Sequence, residues 1–394
     1  MQAAADLRSL FLLSPDVIFL NHGSFGACPK EVFEAYQRWQ LELERNPVEF
    51  LGRRSGELLW NARAELGQFL NAGPQDLVFI ANSTAGVNAV AKSLRLGAGD
   101  EVLSTDHEYG ACDNTWELAC RAQGAKYLKA HIPLPYDKAS VADTVWRQVT
   151  PRTRVLFFSH VTSGTALPFP AEELCARARA AGILTLVDGA HAPGLLDLDL
   201  SALGADFYVG NCHKWLLAPK GSAFLYARES AQALTQGLVT SWGYSARTVL
   251  NAEQEAYAGT RPFERKHQWQ GTRDIAAFLA VPAALEFRRK YGWAQRRAAC
   301  RALAAEAQRA ILAANGLAPA VPEEDALQMR VIPVPAAGAG RLRKWLFDVK
   351  RIEIPVTAFG DSCFVRISVQ PYNTPADMEA LVRALREFYS SGGA

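Results

Sequence analysis

The sequence lacks any pattern that would tie its cysteines into a framework. The seven thiols, Cys28, Cys112, Cys120, Cys175, Cys212, Cys300 and Cys363, are odd in number, scattered and never at CxxC spacing. That argues against a disulfide scaffold and a structural zinc site, and reduced, mostly buried thiols are the expectation. No apolar run approaches a bilayer span, and the patch at 10–13 has no basic segment before it, so no membrane partner and a cytoplasmic location are expected. Charge of one sign is in little excess: Lys and Arg total 42 against 40 Asp and Glu. Such a balance recommends no nucleic acid or anionic surface, and a small molecule is the better-matched partner. No GxGxxG turn follows the first candidate strand, which disfavours a nucleotide-binding oxidoreductase. Internal repeats and low-complexity tracts are missing too, apart from alanine-rich helices.

What is present is an ordinary globular composition, 49% hydrophobic and 21% charged, in 394 residues. That length exceeds one typical core and predicts a large domain plus a smaller one. Residues 31–71 read as helix, divided by Pro47. After Pro74, short runs rich in Val, Leu and Phe alternate with amphipathic stretches, the rhythm of a mainly parallel sheet covered by helices. The expected strands are 76–81, 101–105, 125–130, 154–159, 183–188, 206–209 and 222–226, with helices near 84–94, 110–122, 141–149 and 171–181. A polar segment, 258–274, has little periodicity and leads to a helical stretch at 275–289. Beyond it, helix 294–314, strand 328–334, helix 340–349, strand 364–369 and helix 375–389 predict a compact α+β unit.

Three places in this pattern carry chemistry. The apolar run Ile183-Leu184-Thr185-Leu186-Val187 ends in Asp188-Gly189-Ala190-His191, an acid at the carboxyl edge of a strand, where open α/β sheets collect ligands. A carboxylate there can keep a pyridine ring protonated and electron-withdrawing, and helix capping is the competing reading. Second, Gly210-Asn211-Cys212-His213-Lys214-Trp215 sets a lysine among apolar and aromatic neighbours. Desolvation there lowers an amine's pKa and favours imine formation, whereas a snorkelling surface lysine is the bland alternative. Third, Asn82-Ser83-Thr84-Ala85-Gly86 lies between a strand and a helix, where backbone N–H groups and the helix dipole favour a phosphate; plain N-capping competes on equal terms.

Taken in order, this loop, Asp-Gly-Ala-His, and His-Lys-Trp followed by Pro219-Lys220-Gly221 resemble class V aminotransferases, pyridoxal-phosphate enzymes of the aspartate-aminotransferase fold (fold type I), and within them isopenicillin N epimerase-like proteins. Phe19-Leu20-Asn21-His22-Gly23-Ser24-Phe25-Gly26, Asp106-His107-Glu108-Tyr109-Gly110-Ala111, Gln270-Gly271-Thr272-Arg273-Asp274 and Val365-Arg366-Ile367-Ser368 support the likeness, which spans residues 16 to 385. The resemblance implies an α/β large domain with a mainly parallel seven-stranded sheet and a small α+β C-terminal domain. The expected division is a 1–30 segment contributing to the active site and small domain, 31–274 for the helical arm and cofactor domain, and 275–394 for the linking helix and small domain.

It also implies roles. Lys214 would form the Schiff base with pyridoxal 5'-phosphate and shuttle the substrate proton, Asp188 would pair with the ring nitrogen, and His191 would sit beside the ring oxygen. Either His107 or Tyr109 would stack on the ring, and Ser163 would contact the ring oxygen. Ser83, Thr84 and His213 would hold the phosphate, with Thr272 reaching in from the second subunit of a homodimer. Arg366 would clamp the substrate carboxylate, where a guanidinium's planar fork suits two oxygens, and the Asn21 to Phe25 segment, with Asn21 and His22 as substrate contacts, would line the same pocket. The implied activity is an epimerase-like reaction at the α-carbon of an amino acid. A β-eliminating carbon–sulfur lyase or a cysteine desulfurase is the alternative, and a non-catalytic binding protein a second one. Desulfurases of this class need a nucleophilic cysteine on a mobile loop, whereas Cys363 stands three residues before Arg366 in an expected strand.

Overall fold

The computed structural model describes residues 7–244 and 251–391. A two-residue strand, β1 (Ile18–Phe19), precedes two long helices, α1 (Lys30–Arg45) and α2 (Ser55–Leu70). Between them Pro47, which has no N–H to continue α1, starts a short helix capped by the Asn46 side chain, and a π-turn at Phe50–Arg54 follows.

The next seven strands form one sheet: β2 (Leu77–Ile80), β3 (Glu101–Thr105), β4 (Lys126–Ala130), β5 (Thr153–Ser159), β6 (Leu184–Asp188), β7 (Phe207–Asn211) and β8 (Ala223–Ala227). Their order is β2-β8-β7-β6-β5-β3-β4, all parallel except β8, which runs against both β2 and β7. Alternation along the strands feeds two cores. Val155 and Phe157 join Val102, Leu186 and Val209 on one face, while Leu156 and Phe158 join Leu103, Val187 and Tyr208 on the other. Helices α3 (Ser83–Ser93) and α4 (Gly110–Gln123) cover the first face through Val87, Val90 and Trp116. Helices α5 (Lys138–Trp146) and α6 (Ala171–Ala180) cover the second through Val141, Val145 and Leu174.

From β3 the chain winds outward to β4, then returns to β5 and winds the other way through β6 and β7. The β3/β5 boundary is therefore the switch point of the sheet, and the crevice beyond its carboxyl ends is where such a sheet takes a ligand.

The rest of the described chain holds α7 (Val281–Lys290), α8 (Arg297–Asn315), β9 (Met329–Val334), α9 (Ala339–Lys350), β10 (Ile352–Glu353), β11 (Val356–Phe359), β12 (Ser362–Ser368) and α10 (Pro375–Ser390). Strands β11, β12 and β9 make an antiparallel sheet whose Ile332, Val365 and Ile367 pack with Leu346 of α9 and Leu381 of α10. β1 pairs with β10, and Asn21 bridges to Ser368, so the N-terminal segment is stitched to this second sheet.

Two local expectations are corrected. The helix expected over 275–289 is two pieces, Ala276–Leu279 and α7, because Pro282 supplies no N–H and sits in the first turn of a new helix. The aperiodic stretch 258–274 contains a helix, Pro262–Gln268, started by another proline. Cys363 lies in a strand as expected, in a hairpin where β11 turns through Gly360 (φ 53°) into β12.

Gly26 shows how closely the N-terminal segment approaches the sheet edge. It has φ 71°, and a Cβ there would lie 1.9 Å from the His213 carbonyl oxygen. Gly26→Ala should lower the unfolding free energy by roughly 2–4 kcal/mol, measured by denaturant titration; a loss below about 0.5 kcal/mol, the range of a neutral surface change, would contradict this close contact.

Candidate functional site

A cavity of about 730 Å³ opens over the switch point. Its floor is made by the residues that follow the strands: Asn82 and Ser83 after β2, Glu108 and Tyr109 after β3, Ser159 at the end of β5, Asp188 at the end of β6, and Asn211 with His213 and Lys214 after β7. Strand ends release the chain from the ladder at one level, so side chains far apart in sequence converge there.

Lys214 is the most perturbed of these groups in a way that matters to chemistry. Burial, with the positive charge of Arg366 adding to it, lowers its amine to about 7, and Asp188 opposes the shift. Its Nζ lies 3.1 Å from His191 Nε2, and the Trp215 indole nitrogen lies 3.4 Å from His191 Nδ1. An indole N–H only donates, so Nδ1 is the acceptor and the ring proton of a neutral His191 sits on Nε2. Burial and the neighbouring Lys214 and Arg366 charges hold His191 well below its ordinary pKa. Nε2–H is thus placed to donate to the lone pair of Lys214 in its uncharged form, which a value of about 7 makes accessible near neutral pH. Behind Lys214, His22 Nε2 donates to the Lys214 carbonyl at 3.0 Å, its Nδ1 accepts from the Tyr372 hydroxyl at 2.8 Å, and burial keeps it neutral at about 3.

Asp188 is buried, which raises its carboxyl, while the Ala190 N–H at 2.9 Å and the Lys214 charge pull the other way. The Cys112 thiol approaches its second oxygen at 3.7 Å. Glu108 is an acid that the sequence reading passed over. It is fully enclosed, which pushes its carboxyl to about 8 despite hydrogen bonds of 2.6 Å with the hydroxyls of Thr105 and Ser159. Glu108 therefore holds its proton at neutral pH.

At the start of α3, the Asn82 side chain accepts from Ala85 N–H, and Ser83 N–H donates to the Asn211 side chain. The Ser83 hydroxyl is buried with no hydrogen-bond partner. An orphaned hydroxyl at a helix N-terminus that lines the cavity suits a phosphate, and Thr84 and His213 line the same end. On the opposite side, the Arg366 guanidinium donates to the Ser163 carbonyl and, at 3.1 Å, to the Ser24 hydroxyl. Burial lowers it to about 10, and its Nε has no partner. An arginine with a free donor facing a cavity suits a carboxylate.

Of the residues singled out in the sequence, Lys214, Asp188, His191, Ser83, Thr84, His213, Ser163, Tyr109 and Arg366 line this one cavity. His107 does not: its Nδ1 and Nε2 are bonded to Thr165 and the Ile132 carbonyl, and its ring stacks on Phe359 at 3.9 Å. Asn21 and His22 also lie outside the lining; Asn21 accepts from the Ser24 hydroxyl at 2.5 Å, which in turn accepts from Arg366. Thr272 is exposed and away from the cavity. Of the Asn21–Phe25 segment expected in the pocket, Ser24 and Phe25 line it. Besides Glu108, Asn211 and Arg343 were given no role from the sequence yet lie in the lining. Asn211 stands two residues before His213, so proximity to a motif was a usable signal; Arg343, on α9, had none.

The aminotransferase class-V family model matches residues 18–384. The chain is 38% identical over 392 residues to an isopenicillin N epimerase of Amycolatopsis lactamdurans, covering 98% of each. It is 28% identical over 414 residues to a probable chloroplastic L-cysteine desulfhydrase of Arabidopsis thaliana, covering 96% of this chain and 84% of the relative. A solved structure of a C-DES mutant with glycine covalently linked to its pyridoxal-phosphate cofactor superposes with a TM-score of 0.83 at 21% identity, covering 96% and 99%.

With the Lys214 amine lowered to about 7, its reaction with an amine-selective reagent in the cofactor-free protein should rise through a midpoint near pH 7 and level off. Ordinary lysines continue to rise toward about 10.4. Peptide mapping of the labelled protein across pH measures this, and a Lys214 midpoint among the surface lysines would contradict it.

Proposed function

The chain belongs to the aminotransferase class-V family and is a pyridoxal-phosphate enzyme; from that premise we propose that it epimerises the α-carbon of an amino acid or amino-acid-derived substrate, with Lys214 carrying the proton. The observation behind this reading is the buried Lys214 amine, lowered to about 7 and hydrogen-bonded to His191, in one cavity with Asp188 and Arg366. Bound there, pyridoxal 5'-phosphate supplies an electron-withdrawing ring that stabilises negative charge developing at the α-carbon.

The chain's own residues do the rest. Ser83, Thr84 and His213 would hold the phosphate, and Asp188 would pair with the ring nitrogen. His191, by donating Nε2–H to Lys214 Nζ, holds the amine in place at the cavity floor. Lys214 removes the α-proton, and Arg366 holds the carboxylate so that the α-hydrogen is presented to that amine. Asn21 acts through Ser24, fixing the hydroxyl that accepts from Arg366, and His22 steadies the Lys214 backbone.

Inversion needs a second proton carrier away from Lys214. Of His22, His107 and Tyr109, Tyr109 alone lines the cavity, which supports it for that role and for the ring face. The division at 30/31 and 274/275 is proposed on the same footing, as is a homodimer that would bring Thr272 to the phosphate of its neighbour.

The second reading is β-elimination, as the name of the desulfhydrase relative suggests, since Lys214 alone suffices to remove the α-proton. A desulfurase reading has less support: among the described residues no cysteine lines the cavity, and Cys363 is paired opposite Ala358 in β12.

Two outcomes follow. Lys214→Ala should abolish turnover; undiminished turnover by that variant ends the assignment. With L-amino acids in deuterated water, the enzyme should produce the inverted amino acid carrying α-deuterium, and Tyr109→Phe should slow inversion by about a hundredfold while exchange with retention continues through Lys214. Release of ammonia and keto acid or sulfide in place of inversion would establish the second reading.

A further inference from the structure

Cationic side chains outnumber anionic ones around the cavity. Arg366, Lys220 and Arg343 line it, against the carboxyls of Asp188 and Glu108, and Glu108 is neutral at neutral pH. Both acids lie on the floor, at the ends of β3 and β6. In the reading above Arg366 receives the α-carboxylate, and Lys220, close enough to His213 to lower its pKa, lies at the phosphate end. Arg343 is left over. It is exposed and makes no ion pair or hydrogen bond among the described residues.

The packing places Arg343 on the wall that carries Arg366. β12 bears Arg366; β11 pairs with β12, Val356 opposite Val365; and α9, which bears Arg343, packs against β11. The Arg366 N–H donates to the Pro355 carbonyl at 3.0 Å, so Pro355 and Val356 stand beside Arg366 and also line the cavity. Along this wall the order is thus a buried guanidinium, an apolar step of Pro355 and Val356, and an exposed guanidinium toward solvent. A substrate held by its α-carboxylate at Arg366 would lay methylene groups on the apolar step and present its far end to Arg343. A neutral side chain would leave Arg343 without a partner, whereas a carboxylate matches its planar fork.

We propose that the substrate is an α-amino acid whose side chain ends in a second carboxylate, with the aliphatic portion resting on Pro355 and Val356 and the distal carboxylate received by Arg343. This rests on the proposed reading of Arg366 as the α-carboxylate clamp. Arg343 sets specificity, and it takes no part in moving the proton.

The test compares the holoenzyme and Arg343→Gln on matched pairs, L-glutamate against L-glutamine and L-2-aminoadipate against its side-chain amide. Two readouts serve: kcat/KM, and the dissociation constant from the change in cofactor absorbance on binding. The diacid should be preferred over its amide by about tenfold, the worth of one charge-assisted hydrogen bond at a partly exposed site. Arg343→Gln should collapse that ratio through KM and the dissociation constant, with kcat for the diacid little altered. Arg343→Lys should restore part of it. Equal preference for acid and amide in the parent enzyme, or a ratio unchanged in Arg343→Gln, overturns the proposal and leaves the α-carbon reading standing. If no amino acid of either kind perturbs the cofactor spectrum, the α-carbon reading falls and takes this proposal with it.

Discussion

The hydrogen bond between the Lys214 amine and His191 Nε2 depends on both groups being buried and uncharged. In water the amine would carry a proton at neutral pH and its lone pair would be lost to chemistry. Burial removes that stabilisation, Arg366 adds repulsion, and Trp215 fixes the imidazole tautomer so that a donor faces the nitrogen. Each of these conditions comes from a different part of the chain: the strand end at β6, the turn after β7, and β12 of the second sheet. The fold is, in this sense, the device that keeps one lysine dehydrated.

The same convergence governs charge. Asp188 and Glu108 sit on the floor, close enough for Asp188 to raise the Glu108 carboxyl further. Burial neutralises Glu108, and Asp188 lies close enough to Lys214 to favour the protonated amine against the effect of burial. On the opposite wall Arg366 is held by the Ser163 carbonyl and the Ser24 hydroxyl, the latter fixed by Asn21. The N-terminal segment therefore matters to the site without lining it at Asn21 or His22. Its strand β1 pairs with β10, Gly26 packs on the His213 backbone, and His22 supports the Lys214 carbonyl.

Much of this was legible in one dimension. Period-two apolar strands bounded by helices indicated a mainly parallel sheet, and strand ends at Asp188 and Asn82–Ser83 marked the carboxyl edge. The order of those motifs with His213-Lys214-Trp215 pointed to the family. Residues within a motif were easy to find because their neighbours along the chain are their neighbours in space. Glu108 was missed although it stands between the two residues under consideration, His107 and Tyr109, since nothing in a linear pattern says which of three successive side chains turns inward. The first of them goes under the loop to Thr165 and Phe359, and the second and third go to the cavity.

By itself the sequence determined the fold class, because runs of apolar residues alternating with amphipathic stretches are local; the cofactor's chemical type and the attention to Lys214, Asp188 and Arg366 came from the resemblance of its motifs to class V aminotransferases. Tertiary structure decided the rest. It set the protonation of Lys214, Glu108 and His191, since desolvation depends on everything packed around a group. It assigned Tyr109 rather than His107 to the cavity, and it brought Ser24 to Arg366 and Arg343 to the same wall. Those juxtapositions, 342 positions apart for Ser24 and Arg366, arise through strand pairing and helix packing, and no spacing along the chain encodes them.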